Sequence, residues 1–257
     1  MADYPIKAVK VTHDVVETLV DRGPVGVTEV ANALDLPKST AHDHLRTLER
    51  VGYAVNEGGA YRPSTKFLHI GKQARDDHEL FVHGRERALE LTASTDGTKY
   101  VQLVTEENGR CAVLFATRRQ HSDGSLQASH AHPTHVHLHT NAPGKAILAT
   151  LSSERVERIL DEHGLEARTP RTITDETTLF DALERIRDAG YATDVGELIP
   201  GMSGVAAPIV TDNVNGAVAV YSASEHLDAD DPDPALIERV TRTATEIRGN
   251  LIFAQRE

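Results

Sequence analysis

Apolar positions along the chain recur at helical spacing in some stretches and as short β-type runs in others, and the boundaries between them are marked by turn residues. Val9, Val16, Leu19 and Val20 share one face of a first helix that stops at Arg22-Gly23-Pro24. Thr28 is suited to capping a second helix, which runs through Val30, Ala31, Ala33 and Leu34 to Asp35-Leu36-Pro37. A third helix starts at Lys38-Ser39-Thr40, turns Leu45, Leu48 and Val51 inward and ends at Gly52. Two short helices joined by a turn of about three residues have helix-turn-helix spacing. The runs at 53–55 and 60–62 flank a Gly58-Gly59 turn and read as a hairpin, a wing.

Further on, Leu80, Phe81, Leu89 and Leu91 predict a linker helix closed by Asp96-Gly97. Strand-like runs at 100–104 and 111–115 flank Asn108-Gly109, and a second pair at 205–210 and 217–221 flanks Asn215-Gly216. Between them the pattern predicts helices over 142–151, 153–163 and 175–189, and a final helix carries Leu236, Ile237, Val240, Ala244, Ile247 and Leu251. Hairpins with separate helices give an α+β class with an antiparallel sheet. The expected domains are 1–75, a winged helix-turn-helix; 76–97, a linker helix; and 98–257, the sheet domain.

Composition adjusts this picture. The net charge of -12 argues against an anionic partner, but residues 1–75 carry ten basic and nine acidic side chains, so the whole deficit lies after them. Only seven of the 27 basic residues are Lys, a composition expected of a halophile, although a GC-rich genome would also favour Arg. The lone Cys111 excludes an internal disulfide framework and a multi-thiolate metal site, and the absence of a leader or an apolar span points to a cytoplasmic protein with no membrane partner.

In a winged helix-turn-helix the second helix of the motif enters the major groove of double-stranded DNA and the wing reaches the backbone. The candidate DNA-binding residues are therefore Thr28, Lys38, Ser39, Thr40, His42, Asp43, Arg46, Thr47 and Arg62. Arg46 suits phosphate or a guanine edge; Asp43 suits a cytosine amino group or the rejection of wrong sites. A polar-faced helical subdomain that never meets DNA has the same spacing.

The run GPVGVTEVANALDLPKSTAHDHLRTLERVGYAVNEGGAYRPSTKFLHIG over 23–71 resembles the DNA-binding domain of IclR-family transcriptional regulators. LHTNAPGKAILA at 138–149, RTPRTITD at 168–175 and IRDAGYATDVGELIPGMSGVAAPIV at 186–210 resemble the family's C-terminal domain, as does the strand from Gly216 to Ser224. The resemblance implies a GAF-like effector domain and a homo-oligomer, a dimer or a dimer of dimers. It also implies an effector site at Asn141, Ala142, Pro143, Gly144, Asp194, Met202, Gly204, Tyr221, Ser222 and Ser224. Two departures stand out: Asp43, where the family often has a basic residue, and Gly204, where it often has Cys.

The expected function is a sequence-specific transcription regulator whose operator affinity is set by a small organic acid or sugar-derived effector. Free N–H groups at the helix start near Ala142 suit a carboxylate, although Pro143 removes one donor. Asp194 and the serines suit hydroxyls, and Met202 offers an adaptable apolar wall. APGKA lacks the glycine and hydroxyl residue of a phosphate loop, which leaves Lys145 as a helix-surface or helix-end residue.

The alternating His135, His137 and His139 would share one strand face, with His121, His130 and His132 nearby. His130, His132, His135 and His137 are the candidate metal ligands, and an alternative regulator would sense zinc through them; no other cofactor is expected. A His-rich hydrolase is the distant alternative, opposed by the lack of G-x-S-x-G and H-E-x-x-H. A tightly filled space around Ala142, Asp194 and Ser222 would instead favour a scaffold protein without effector.

Overall fold

The computed structural model describes residues 4–95, 97–119, 126–127 and 135–255. The chain divides into two compact units, Met1–Arg75 and Asp76–Glu257.

In the first unit, α1 (Lys7–Arg22), α2 (Val27–Ala33) and α3 (Lys38–Arg50) enclose a core of Val15, Leu19, Val30, Ala31, Ala41, Leu45 and Leu48. The buried face of α1 is centred on Val15, Thr18 and Leu19, and Val9 and Val20 are exposed, so the face read from the sequence is rotated toward solvent. Gly26, not Thr28, is the N-cap of α2, and Glu29 reaches back to accept from the Gly26 N–H at 2.8 Å. Strands β2 (Ala54–Glu57) and β3 (Ala60–Pro63) form the wing. A short strand the periodicity missed, β1 (Val25–Gly26), pairs with β3 to complete a three-stranded sheet. Helix α4 (Lys66–Asp76) was likewise not anticipated, because none of its residues is buried and it carries no apolar stripe facing a core.

The second unit is a seven-stranded sheet built from β4 (Tyr100–Glu107), β5 (Arg110–Arg119), β6 (Leu126–Gln127), β7 (His135–His137), β8 (Ala192–Val195), β9 (Met202–Val210) and β10 (Asn215–Ala223). Its order is β6-β5-β4-β10-β9-β8 with β7 also on β5, and every pairing is antiparallel. One face packs α5 (Glu79–Ala93) and α9 (Pro234–Ala254) around Leu80, Leu91, Val218, Val220 and Ile247. Against the other lie α6 (Ala142–Thr150), α7 (Ser153–His163) and α8 (Glu176–Ala189), around Ile147, Ile159, Leu183, Ala217 and Ala219. The expected linker helix is thus a core element of the second unit.

Asn108 and Gly109 both have positive φ, 52° and 74°, as a two-residue hairpin turn requires. The second hairpin is shifted from its expected place: Asn215 and Gly216 already lie in β10 opposite Val210 and Ile209, and the turn is closed by Thr211 N–H donating to the Val214 carbonyl. Period-2 alternation along β10 sends Tyr221 to the α6 face and Ser222 to the α9 face, a division that decides the membership of the site. Among the described residues, no helix is long and apolar enough to cross a membrane.

Candidate functional site: a nucleic-acid face and an effector cavity

Ala41, Leu45 and Leu48 anchor α3 in the core, which leaves Lys38, Ser39, His42, Asp43, Arg46 and Thr47 exposed on the opposite face, with Thr40 half-buried at its edge. Arg46 makes no ion pair among the described residues and is available to a phosphate or base. Arg50, one turn on, extends the same exposed face and was missed because it reads as a helix-end charge. Thr47 Oγ1 donates to the Asp43 carbonyl at 2.7 Å, and His42 lies 3.5 Å from the Asp43 carboxylate. Arg62 on the wing is held by Glu57, at 3.0 Å from Nε and 2.6 Å from Nη2. Thr28 is exposed, in the first turn of α2.

The second site lies where α6 begins over the sheet. Asn141 caps α6: its Oδ1 accepts from Gly144 N–H at 2.8 Å and from the Cys111 thiol at 3.6 Å. Gly144 is dictated by proximity, since a Cβ there would lie 2.1 Å from the Leu138 carbonyl oxygen. The Ala142 N–H donates to the Tyr221 hydroxyl at 3.1 Å, and that hydroxyl donates to Asp194 Oδ2, also at 3.1 Å. Asp194 Oδ1 accepts from Glu197 N–H at 2.8 Å. A relay of hydrogen bonds therefore runs from the start of α6 through Tyr221 to a buried carboxylate on β8.

Tyr221 stacks on Tyr100 with ring centroids 5.7 Å apart, and Gly204 lies opposite Tyr221 in the ladder. A Cβ at Gly204 would approach the Tyr221 ring to 2.3 Å, so the glycine is what admits the ring. The free volume is only about 20 Å³, room for one water-sized molecule, and its wall includes Gln102, Cys111, Asn141, Pro143, Met202 and Tyr221.

Burial sets the electrostatics. It raises Asp194 to about 6, with the Glu197 N–H opposing and the Glu197 charge reinforcing the rise. It pushes the Cys111 thiol up to about 12, against the Asn141 hydrogen bond, and raises both tyrosines. Cys111 is accordingly an inert wall residue. Lys145, read from the sequence as a surface residue, is buried and ion-paired with Glu197. Burial raises Glu197, and Lys145 pulls it back.

Of the residues expected at the effector site, Asn141, Ala142, Pro143, Gly144, Asp194, Met202, Gly204 and Tyr221 are brought together. Ser222 and Ser224 are not: Ser222 Oγ donates to the Thr98 carbonyl at 3.0 Å, and Ser224 Oγ pairs with Ser203 at 2.8 Å. The physical reason for Ser222 is strand alternation, which gives the cavity Tyr221 and turns its neighbour away. Tyr100, Gln102 and Glu197 went unnoticed because the first two sit in a strand run that reads as core and the last in a loop.

The proposed His face does not form as a strand. β7 ends at His137, and Leu138–Thr140 is a 3-10 turn that buries His139 separately. His135 is exposed; His121, His130 and His132 lie outside the described residues. Burial, with Arg110 and His139 adding to it, lowers His137 to about 4. Among the described residues, no group of three or more metal-ligating side chains is assembled.

Residues 11–58 match the family model for the IclR helix-turn-helix domain, and residues 88–248 match that for the bacterial transcriptional regulator IclR C-terminal domain. The chain is 33% identical over 219 residues to the probable HTH-type transcriptional regulator ArcR of Halobacterium salinarum, covering 83% of this chain and 82% of that protein. It is 31% identical over 229 residues to the HTH-type transcriptional regulator BhcR of Paracoccus denitrificans, covering 85% and 77%. Among solved structures, an IclR transcriptional regulator from Alicyclobacillus acidocaldarius superposes with TM-score 0.74 at 25% identity, over 96% of this chain and 100% of that one. An IclR homolog from Microbacterium hydrocarbonoxydans complexed with 4-hydroxybenzoate superposes with TM-score 0.73 at 20% identity, over 96% and 99%. The match of both halves, in order and over most of the chain, places it in the IclR family of transcriptional regulators, with a helix-turn-helix DNA-binding domain and an effector-binding C-terminal domain.

Proposed function

We propose that the effector of this regulator is a small hydroxylated organic acid that takes over the hydrogen bonds now made by the Tyr221 hydroxyl. The relay from Ala142 N–H through that hydroxyl to Asp194 carries the reading. An N–H at a helix start suits a ligand carboxylate, and a buried carboxylate beside it suits a ligand hydroxyl. Of the two effector classes expected, the organic acid is favoured over the sugar-derived one, because Tyr100, Val113, Val136, Leu198, Ile199 and Met202 make most of the wall apolar. A related protein of the same fold is complexed with 4-hydroxybenzoate, which supports a ligand of this class. A filled site of 20 Å³ suits a scaffold protein equally well in volume, but a scaffold core gains nothing from a buried ionisable Asp194. A ligand must therefore move the Tyr221 ring or the 198–201 loop to enter.

On this reading the regulator is cytoplasmic and binds its operator as a homodimer, with α3 of each copy presenting Arg46 to DNA. Effector binding shifts the population between arrangements of differing operator affinity. Genomic fragments bound by the full chain supply the operator, and fluorescence anisotropy at fixed salt then tests the reading. Arg46→Ala is expected to weaken operator binding about tenfold or more, while hydroxybenzoates and aliphatic hydroxy acids raise the melting temperature of this variant as they do that of the native chain. Unchanged operator affinity in Arg46→Ala overturns the α3 assignment; absence of any ligand-induced stabilisation overturns the effector class.

A further inference from the structure

Helix α1 carries a second apolar side that the core of the first unit does not use. Val15, Thr18 and Leu19 turn inward, whereas Ile6 and Val9, each 63% exposed, and Val20, 59% exposed, stand on the opposite side. Together with His13 and the half-buried Val16 they recur at alternating intervals of three and four residues, the spacing of a helix–helix seam. At its start the seam opens into a groove lined by Tyr4, Pro5, Ile6, Val9, Lys10 and His13. β-branched residues are indifferent helix formers, so exposed valines give α1 nothing locally, and an aliphatic stripe about four turns long marks a contact surface.

Charge beside the stripe is divided along the helix. Lys7 and Lys10 lie in its first half, and Asp14, Glu17 and Asp21 follow on the same flank. Lys10 pairs with Asp14 within the helix, and Glu17 is exposed with His13 Nε2 at 4.0 Å. Two copies of α1 packed in parallel would set lysine against lysine and carboxylate against carboxylate. Packed antiparallel about a two-fold at His13, Lys10 of each copy comes beside Glu17 of the other, and Lys7 beside Asp21. The same two-fold lays Val16 and Val20 of the second copy over Val9 and Ile6, where the groove receives them.

We propose that two copies of this chain meet through α1 of their DNA-binding units, as an antiparallel, self-complementary pair centred on His13. The inference rests on the reading of the regulator as a homodimer on its operator, and it names the surface that joins the two DNA-binding units. A two-fold at α1 relates the two α3 helices as the halves of a palindromic operator are related. Thr12 Oγ1 lies 2.8 Å from His44 Nδ1, which ties α1 to α3, so pairing at α1 also fixes the orientation of the helix presented to DNA.

The test cross-links single engineered thiols in the full chain, whose own Cys111 is buried. A short bismaleimide, each of whose double bonds takes up one thiol, is added at low ionic strength to His13→Cys. The control is Ala8→Cys, exposed on the side of α1 away from the seam, and sedimentation equilibrium is run on the same samples. His13→Cys is expected to form covalent dimer at least about tenfold faster than Ala8→Cys. In the His13→Cys background, Val9→Glu places a charge in the seam and is expected to slow linking about tenfold. Glu17→Lys reverses two symmetry-related pairs and is expected to slow it about fivefold, and adding Lys10→Glu to restore the rate. Equal rates for His13→Cys and Ala8→Cys in a chain that sediments as a dimer overturn the seam and leave the homodimer reading standing; a chain that sediments as a monomer overturns both. A His13→Cys rate indifferent to Val9→Glu overturns the apolar contact, and slow linking in Glu17→Lys that Lys10→Glu does not relieve overturns the antiparallel register.

Discussion

Replacing Asp194 by Asn removes a charge the fold holds at a cost, and the cost can be followed with pH. Asp194 is 2% exposed, and burial raises it from 3.8 to about 6. A carboxyl raised in the folded state binds its proton more tightly there than in the unfolded chain. The stability this contributes is complete below about pH 3.8 and is lost as pH rises through about 6. That rise corresponds to about 3 kcal/mol. Asparagine keeps an acceptor for the Glu197 N–H and has no titration, so the difference between native and variant stability isolates this one group from the histidines and other carboxyls that titrate nearby. Urea unfolding of both proteins between pH 4 and pH 8 is the assay, followed by near-ultraviolet circular dichroism and by hydrogen exchange at β10, which lies in the second unit. Relative to the native chain, Asp194→Asn is expected to gain about 2.4 kcal/mol on going from pH 4 to pH 7, the rest of the effect lying below pH 4. A difference that stays flat across this range would refute the view that Asp194 is held in a desolvated site, and with it the electrostatic basis of the cavity.

Two further substitutions probe the same region. Gly144→Ala is expected to destabilise the second unit by about 3 kcal/mol, because the new methyl meets the Leu138 carbonyl oxygen and helix α6 must lift from its 3-10 turn; urea unfolding that shows a loss below 1 kcal/mol contradicts the close approach. Gly204→Ala drives a methyl into the Tyr221 ring, with an expected cost of about 2 kcal/mol, and Tyr221→Ser empties the same space at about 3 kcal/mol. The double variant is expected to fall short of the sum by about 2 kcal/mol, since each change removes the other's problem, and simple additivity would show that the two positions do not share the space.

Much of the fold is legible in the sequence wherever one physical signal dominates. Asn108-Gly109 marks its hairpin because only a residue pair tolerant of positive φ makes that turn. The same dipeptide at Asn215-Gly216 misleads: Gly216 is required by crowding against Leu80 and the Val104 carbonyl, which a Cβ would meet at 2.5 and 2.6 Å, and not by its backbone angle. On α1 the exposed Val9 and Val20 mimic a core stripe, and only packing against α2 and α3 shows that Val15 and Leu19 point inward. Helix α4 has no buried residue for periodicity to detect. The candidate site was half legible. The α6 cap and Asp194 carry their own chemistry in the sequence, whereas Tyr100, Gln102 and Glu197 acquire theirs only when β4, β10 and the loop after β8 come together. Lys145 was misjudged for the same reason, since its partner lies 52 residues away.

The residues at 204 and 221 explain several features of the cavity at once. With no side chain at 204, the Tyr221 ring can lie against the sheet and stack on Tyr100. From there its hydroxyl reaches both the Ala142 N–H and Asp194, the two groups proposed to receive a ligand carboxylate and hydroxyl. The ring also accounts for the small free volume, because it fills space that a shorter residue at 221 would leave open. On the proposed reading, the resting protein holds an internal substitute for its effector. An incoming ligand must then displace hydrogen bonds already made, and its apparent affinity is reduced by the fraction of molecules in which Tyr221 occupies the site. That competition also gives binding a structural consequence: release of Tyr221 frees β10 at its end, on the strand that pairs with β4 on one side and β9 on the other. A ligand recognised through a relay that the protein must first surrender thus acts on the centre of the sheet, where a local exchange of partners can be felt by the helices packed on both of its faces.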